Sequence, residues 1–201
     1  MTKVAIVYHS GFGHTQVLAE SAAEGVRDAG AEAELLRIEG PAQDFGPLLD
    51  AAKDADAIIF GAPTYMGDLS AGFRAFAEAS AKSWYVQDWK DKLAAGFTVS
   101  NSASGDKLHA LNSLAVFAAQ HGMVWVSTGL LPGTAAGKTG PEDINRLGSF
   151  LGAMAQSENA PAGPANPPAG DHLTVRHLGR RVAEAARRWQ AGAQPGLAEA
   201  A

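Results

Sequence analysis

Two hydroxyl residues, two glycines and two histidines crowd one short stretch of this chain, His9-Ser-Gly-Phe-Gly-His-Thr15. The loop within it, residues 10–15, holds no Lys or Arg, a composition suited to binding an anion through neutral donors. Gly11 and Gly13 let the backbone wrap closely, and Ser10 and Thr15 add hydroxyls. A helix beginning at His14–Thr15 turns its free N–H groups and the positive end of its dipole toward the same point. Residues 10–15 match neither Gly-x-x-x-x-Gly-Lys-Ser/Thr nor Gly-x-Gly-x-x-Gly, the loops of nucleoside triphosphates and dinucleotides. A monophosphate held without a counter-cation needs many donors. Each hydrogen bond to a charged group contributes roughly 1.5–3 kcal/mol, so about five or six supply on the order of 10 kcal/mol. That exceeds a desolvation penalty of several kcal/mol per ion. The same residues also suit an ordinary strand–helix connection, since Gly and Ser are common in turns.

Such a loop needs a strand before it and a helix after it. The apolar run Val4 to Tyr8 supplies the first, and Val17, Leu18, Ala22 and Val26 give the apolar face of the second. Asp28-Ala-Gly30 stops that helix, and Glu32–Ile38 reads as a second strand near a sheet edge. A short helix follows over Leu48 to Lys53, then a wholly apolar and therefore central strand, Ala57 to Phe60. Ala71 to Ala81 is helical with Phe73 and Phe76 on one face. Leu93–Val99 is a fourth strand, Leu108–Gln120 a long helix and Met123–Val126 a fifth strand. This alternation predicts an α/β, three-layer αβα sandwich around a five-stranded parallel sheet joined by right-handed crossovers. Five strands fit the flavodoxin-like order 2-1-3-4-5. Ligands in such sheets sit beyond the carboxyl ends of the strands, near the switch between strands 1 and 3. The loops expected there are Ser10–Thr15, Pro63-Thr-Tyr-Met-Gly-Asp68 and Ser100-Asn-Ser-Ala-Ser-Gly-Asp106, each polar or Gly-rich.

The C-terminal third is less regular. Leu130 to Gly140 is a Gly/Pro/Thr loop, and Ile144 to Met154 fits either a helix or a packed loop. Ser157 to Gly170, with four prolines, reads as a partly mobile Pro/Ala-rich surface loop. Asp171 is expected to cap a last amphipathic helix to about Trp189, and 192–201 a frayed tail of one domain spanning 1–201.

Composition narrows the function. With 201 residues and 46% apolar content, the chain can bury a core without staples. It has no Cys, hence no disulfides and no thiolate catalysis. A net charge of −5 argues against nucleic acid as a partner. Without a signal-peptide layout or a long apolar run, a cytoplasmic protein without membrane insertion is expected.

Tyr8-His-Ser-Gly-Phe-Gly-His-Thr15, Gly61-Ala-Pro-Thr-Tyr-Met-Gly67, Arg74-x-Phe76, Trp84, Gln120-His-Gly-Met123, Gly170-Asp-x-Leu173 and Gly179 together resemble the flavodoxin superfamily. In particular they resemble the WrbA-type NAD(P)H:quinone oxidoreductases and FMN-reductase-like relatives. The resemblance covers nearly the whole chain and implies non-covalent FMN with NAD(P)H as co-substrate. It implies that Ser10, Gly11, Phe12, Gly13, His14 and Thr15 hold the phosphate. Pro63, Thr64, Tyr65 and Met66 would wrap the isoalloxazine ring, with Gly67 permitting the turn. Ser100, Asn101, Ser102, Ala103, Ser104 and Gly105 would follow the pyrimidine side and ribityl chain. His121 matches a histidine near the flavin in WrbA-type proteins, and Trp84 a tryptophan lining their substrate pocket, often across a subunit boundary. From its own residues, His121 equally suits a packed helix end, His14 a helix-start packing position and Trp84 core or interface packing. The family pattern carries Arg-Phe where this chain has Tyr65-Met66, so a cation favouring the anionic reduced flavin is missing. It also shows Thr-Gly-Gly where the loop after the fourth strand is Ser/Asn-rich. No metal set is expected. The resemblance implies hydride transfer from NAD(P)H through FMN to a quinone-like flat acceptor, in a homodimer or homotetramer. The alternatives are a flavodoxin-type electron carrier and a binding module without flavin.

Overall fold

The structure is a computed structural model and describes residues 1–192. Four strands lie parallel in the order β2 (Glu32–Ile38), β1 (Lys3–His9), β3 (Ala57–Tyr65) and β5 (Leu93–Ser100). The fifth position is shared by two short strands: β6 (Val124–Trp125) pairs with the start of β5, and β7 (Ala153–Gln156) with its end. This is the expected parallel order with its last strand interrupted by residues 126–152. The strand β7 escapes the hydrophobic pattern because Ala-Met-Ala-Gln contains no β-branched or aromatic residue. The segment 144–152 before it is a packed loop, with the Asn145 N–H donating to Thr174 Oγ1 at 2.8 Å.

Alternation along the strands sends side chains to two cores. Val4, Ile6 and Tyr8 of β1 face one layer, made by α1 (His14–Asp28) and α6 (Ala169–Gly192). Ala5 and Val7 face the other, made by α2 (Gly46–Lys53), α3 (Ala71–Ala79) and α5 (Lys107–Gln120). The short helix α4 (Ala81–Tyr85) follows α3. The layered α/β sandwich is therefore as expected.

Two local readings change. The strand β3 does not stop at Phe60 but runs to Tyr65 and turns at Met66-Gly67 into a two-residue β4 (Asp68–Leu69). Both turn residues have positive φ, 49° and 84°, as a tight two-residue hairpin requires. Asp171 does not cap the last helix. It lies within the first turn, buried, where Arg146 Nε and Nη2 donate to its two oxygens at 2.8 Å and the Gln156 N–H donates at 2.8 Å. The frayed tail expected over 192–201 lies, beyond Gly192, outside the described residues. Among the described residues no helix is long and apolar enough to cross a membrane.

Candidate functional site

At the carboxyl edge of the sheet the loops after β1, β3, β5 and β7 enclose a cleft of about 740 Å³. Its walls include Phe12, His14 and Thr15 from the first loop and the start of α1, Pro63, Thr64 and Tyr65 from β3, Val99 and Ser100 from β5, and Asn101 just after it. The volume lies within the ~300–1,000 Å³ usual for small-molecule sites.

The first loop leaves a run of backbone donors unpaired beside the cleft. Gly13 is left-handed, with φ 89°, and bends the chain into α1. Ser10 is 6% exposed and does not line the cleft: its Oγ accepts the Gln16 N–H at 3.2 Å, satisfying one free donor of the helix start. Among the described residues, no acceptor takes the N–H groups of Gly11 to Thr15 or pairs with the Thr15 hydroxyl. Thr15 is 1% exposed and lines the cleft. Unpaired donors converging at a helix N-terminus fit a phosphate. Tyr65 crosses above Gly11, where a Cβ would collide with its hydroxyl, and meets Phe12 edge-on at 6.3 Å.

The second wall is rigid from below. Thr98 donates to the Ala62 carbonyl at 2.7 Å, so its Oγ1 receives the Thr64 hydroxyl, also at 2.7 Å. Met66 is fully exposed, with Gly67 beside Asp106 at the hairpin tip. Asp68 ties that hairpin down: its carboxylate accepts from the Leu69 N–H and Ser113 Oγ, and pairs with Arg74. Burial pushes the Asp68 carboxyl up. Donation by Leu69, Ser113 and Arg74 outweighs it and holds the group below the usual carboxylate range.

The third wall joins the fourth. Asn101 Nδ2 donates to the Ser157 carbonyl at 3.1 Å, and the Ser157 N–H to the Ser100 carbonyl at 3.0 Å. Ser157 to Pro161 line the cleft, a contribution the sequence pattern concealed. This surface loop folds back over the first loop. With Nε2 carrying the proton, His14 donates to the Ala160 carbonyl at 3.0 Å, and Asn166 Nδ2 donates to the same oxygen at 3.0 Å. Lacking apolar anchors, the segment is held by polar bonds, which no hydrophobic pattern reports. Ser102, Ala103, Ser104 and Gly105 do not line the cleft; Lys107, absent from the expected set, donates to the Ser102 and Ala103 carbonyls.

Neither His121 nor Trp84 reaches the cleft. The helix α5 starts at the carboxyl edge and runs back for 14 residues, about 21 Å at ~1.5 Å per residue, leaving His121 at the opposite edge. There it is 2% exposed, its Nε2 bonded to Ser80 Oγ at 2.9 Å and its ring 4.2 Å from that of Trp89. Trp84 lies on α4 at 44% exposure, beside exposed Tyr85 and Val86. Burial pulls the His121 imidazole down to about 4. The unfolded chain therefore binds a proton below its ordinary pKa that the folded chain refuses. Stability is expected to be full above pH ~6.5 and to fall toward pH ~4, with a slope of up to about 1.4 kcal/mol per pH unit. Urea melts across that window should show the slope, and His121→Gln should flatten it.

Residues 2–136 match the family model described as NADPH-dependent FMN reductase. The chain is 41% identical over 183 residues to Flavodoxin FldP of Pseudomonas aeruginosa, covering 91% of this chain and 96% of that one. It is 32% identical over 205 residues to an NAD(P)H dehydrogenase (quinone) of Syntrophobacter fumaroxidans, covering 92% and 98%. Its structure superposes with a TM-score of 0.74 on a flavodoxin, WrbA-like protein from Agrobacterium tumefaciens, at 39% identity and with coverage of 94% and 99%.

Proposed function

Because this chain belongs to the NADPH-dependent FMN reductase family, we propose that it is an FMN-dependent oxidoreductase that passes hydride from NAD(P)H to a quinone-like acceptor. The observation that carries the reading is the set of unpaired N–H groups from Gly11 to Thr15, with the Thr15 hydroxyl, at the floor of a cleft of flavin size. These donors hold the FMN phosphate without a cation. Tyr65 and Pro63 of the β3 wall and Ser100 and Asn101 of the β5 wall flank the ring, and Phe12 shields the phosphate end. When bound, FMN supplies the two-electron redox chemistry. The chain positions it and, through the fold-back of 157–161, keeps water from the phosphate contacts. Substrates enter at the exposed hairpin tip, where Met66 leaves the rim open. Nicotinamide and acceptor use this entrance in turn, and no protein nucleophile takes part. The bare aromatic segment Trp84-Tyr85-Val86 supports assembly as a homodimer or homotetramer, and the absence of Cys supports a cytoplasmic setting.

The likeness to a protein named flavodoxin supports a second reading, an electron carrier without NAD(P)H activity of its own. One experiment separates them. Purified protein reconstituted with FMN and mixed with NADPH or NADH should lose its flavin absorbance within seconds and regain it on adding benzoquinone. A carrier binds FMN but stays oxidised until a separate reductase is added. Protein that takes up no FMN overturns both.

A further inference from the structure

Lys107 is 1% exposed and pairs with no carboxylate among the described residues. Its Nζ instead donates three hydrogen bonds of 2.9 Å, to Ser100 Oγ, the Ser102 carbonyl and the Ala103 carbonyl. An ammonium has three N–H donors, so this one loop saturates it. Asp171 attracts it from a distance, but that carboxylate is already gripped by Arg146, which repels it. Burial draws its pKa down to about 8, which leaves it charged at neutral pH. A buried cation held only by neutral acceptors is costly and is not needed for packing.

What the arrangement achieves is visible in the loop. The carbonyls of Ser102 and Ala103 point inward to the ammonium. Because each peptide is planar and trans, the N–H groups of Ala103 and Ser104 point the other way. No described residue accepts from them. The ammonium thus turns a row of backbone donors outward at the rim, and sits one hydroxyl away from Ser100, part of the cleft wall. The cleft lining itself contains no Lys or Arg.

We propose that Lys107 is the fixed cation of the flavin site, a positioning residue that sets the 100–105 loop and makes the adjacent wall favour a negatively charged ring. This deepens the FMN reading above and rests on it. On taking up two electrons and one proton the isoalloxazine becomes an anion. A cation behind the wall stabilises that form over the neutral oxidised one.

The test compares wild type with Lys107→Met, which removes both donors and charge, and Lys107→Gln, which keeps two donors and removes the charge. Affinity for oxidised FMN is read by fluorescence quenching, the midpoint potential by dye equilibration, and loop order by amide hydrogen exchange of residues 101–106 in cofactor-free protein. In Lys107→Gln, oxidised FMN should bind within about threefold of wild type while reduced FMN weakens about tenfold. The tenfold corresponds to a two-electron potential about 30 mV lower. In Lys107→Met, oxidised FMN should also weaken about tenfold and loop exchange accelerate at least about tenfold. An unchanged potential in Lys107→Gln overturns the electrostatic role, and unchanged loop exchange in Lys107→Met overturns the positioning role. Failure of both variants to fold places Lys107 in the scaffold and overturns both roles. If wild type binds no FMN, the cleft reading has failed, and the exchange comparison still decides whether Lys107 orders the loop.

Discussion

Thr15→Val is expected to weaken FMN binding by about 10- to 100-fold while leaving the fold intact, because one hydrogen bond to a charged group is worth roughly 1.5–3 kcal/mol. Valine matches threonine in shape, and Thr15 is almost completely buried, so packing is retained and only the hydroxyl is lost. In the cofactor-free protein that hydroxyl pairs with no described residue, so its removal breaks no internal bond. Ser10→Ala provides the contrast. Its Oγ is engaged with the Gln16 N–H, so the loss should appear mainly as about 1 kcal/mol of stability, the usual value of a helix-start cap. Fluorescence titration with FMN, paired with urea melts of cofactor-free protein, checks both. Equal FMN affinity in Thr15→Val and wild type would remove the phosphate from this loop. Restoration of quinone reduction by excess FMN would confirm that only binding, and not the chemistry, had been damaged.

What the sequence made legible here followed from one physical rule: local periodicity reports burial. The helix from His14 has apolar residues at helical spacing, and the strands read over Glu32–Ile38 and Leu93–Val99 stand where their apolar residues place them. The first loop was readable for a related reason, since glycines and hydroxyls between a strand and a helix have few uses other than turning or binding. Elements without such a signature stayed hidden. The strand β7 is built from alanines, and the segment 157–168 closes on His14 through carbonyls and one asparagine side chain. Lys107 reads as an ordinary charged helix start, and only the fold reveals that it turns inward on its own preceding loop. His121 lies away from the cleft for a geometric reason. A motif match carries no information about which end of a helix meets the ligand edge, and α5 takes it to the wrong one. The aromatic run Trp84–Trp89 divides similarly: Trp89 is fully buried beside Phe76 and His121, whereas Trp84 stays at the surface.

Gly179→Ala is expected to lower stability by about 3 kcal/mol, at the upper end of the usual overpacking cost. The helices α1 and α6 cross at bare backbone. A Cβ on Gly179 would overlap the Ala22 carbonyl, and one on Gly25 the Arg176 carbonyl. The atoms the added methyl would meet belong to the Ala22 backbone and not to the far end of a side chain, so nothing there can swing aside. The added methyl must push the helices apart, and every apolar contact between them weakens together. For a chain of this size the loss is a melting temperature lower by about 6–12 °C. The functional consequence follows from the same geometry. The first turn of α1 is the proposed phosphate cradle, and the first turn of α6 holds Asp171, which anchors β7 through the Gln156 N–H and so the start of the 157–161 wall. Splaying the pair therefore opens the cleft, and Gly179→Ala should bind FMN more weakly as well as melt earlier. Binding and folding are linked, so FMN at about 100 times its dissociation constant should return roughly 2.7 kcal/mol to either protein. A variant that melts early but binds FMN as wild type does would show that the cradle is set by β1 and its loop alone, independent of how α1 rests on α6.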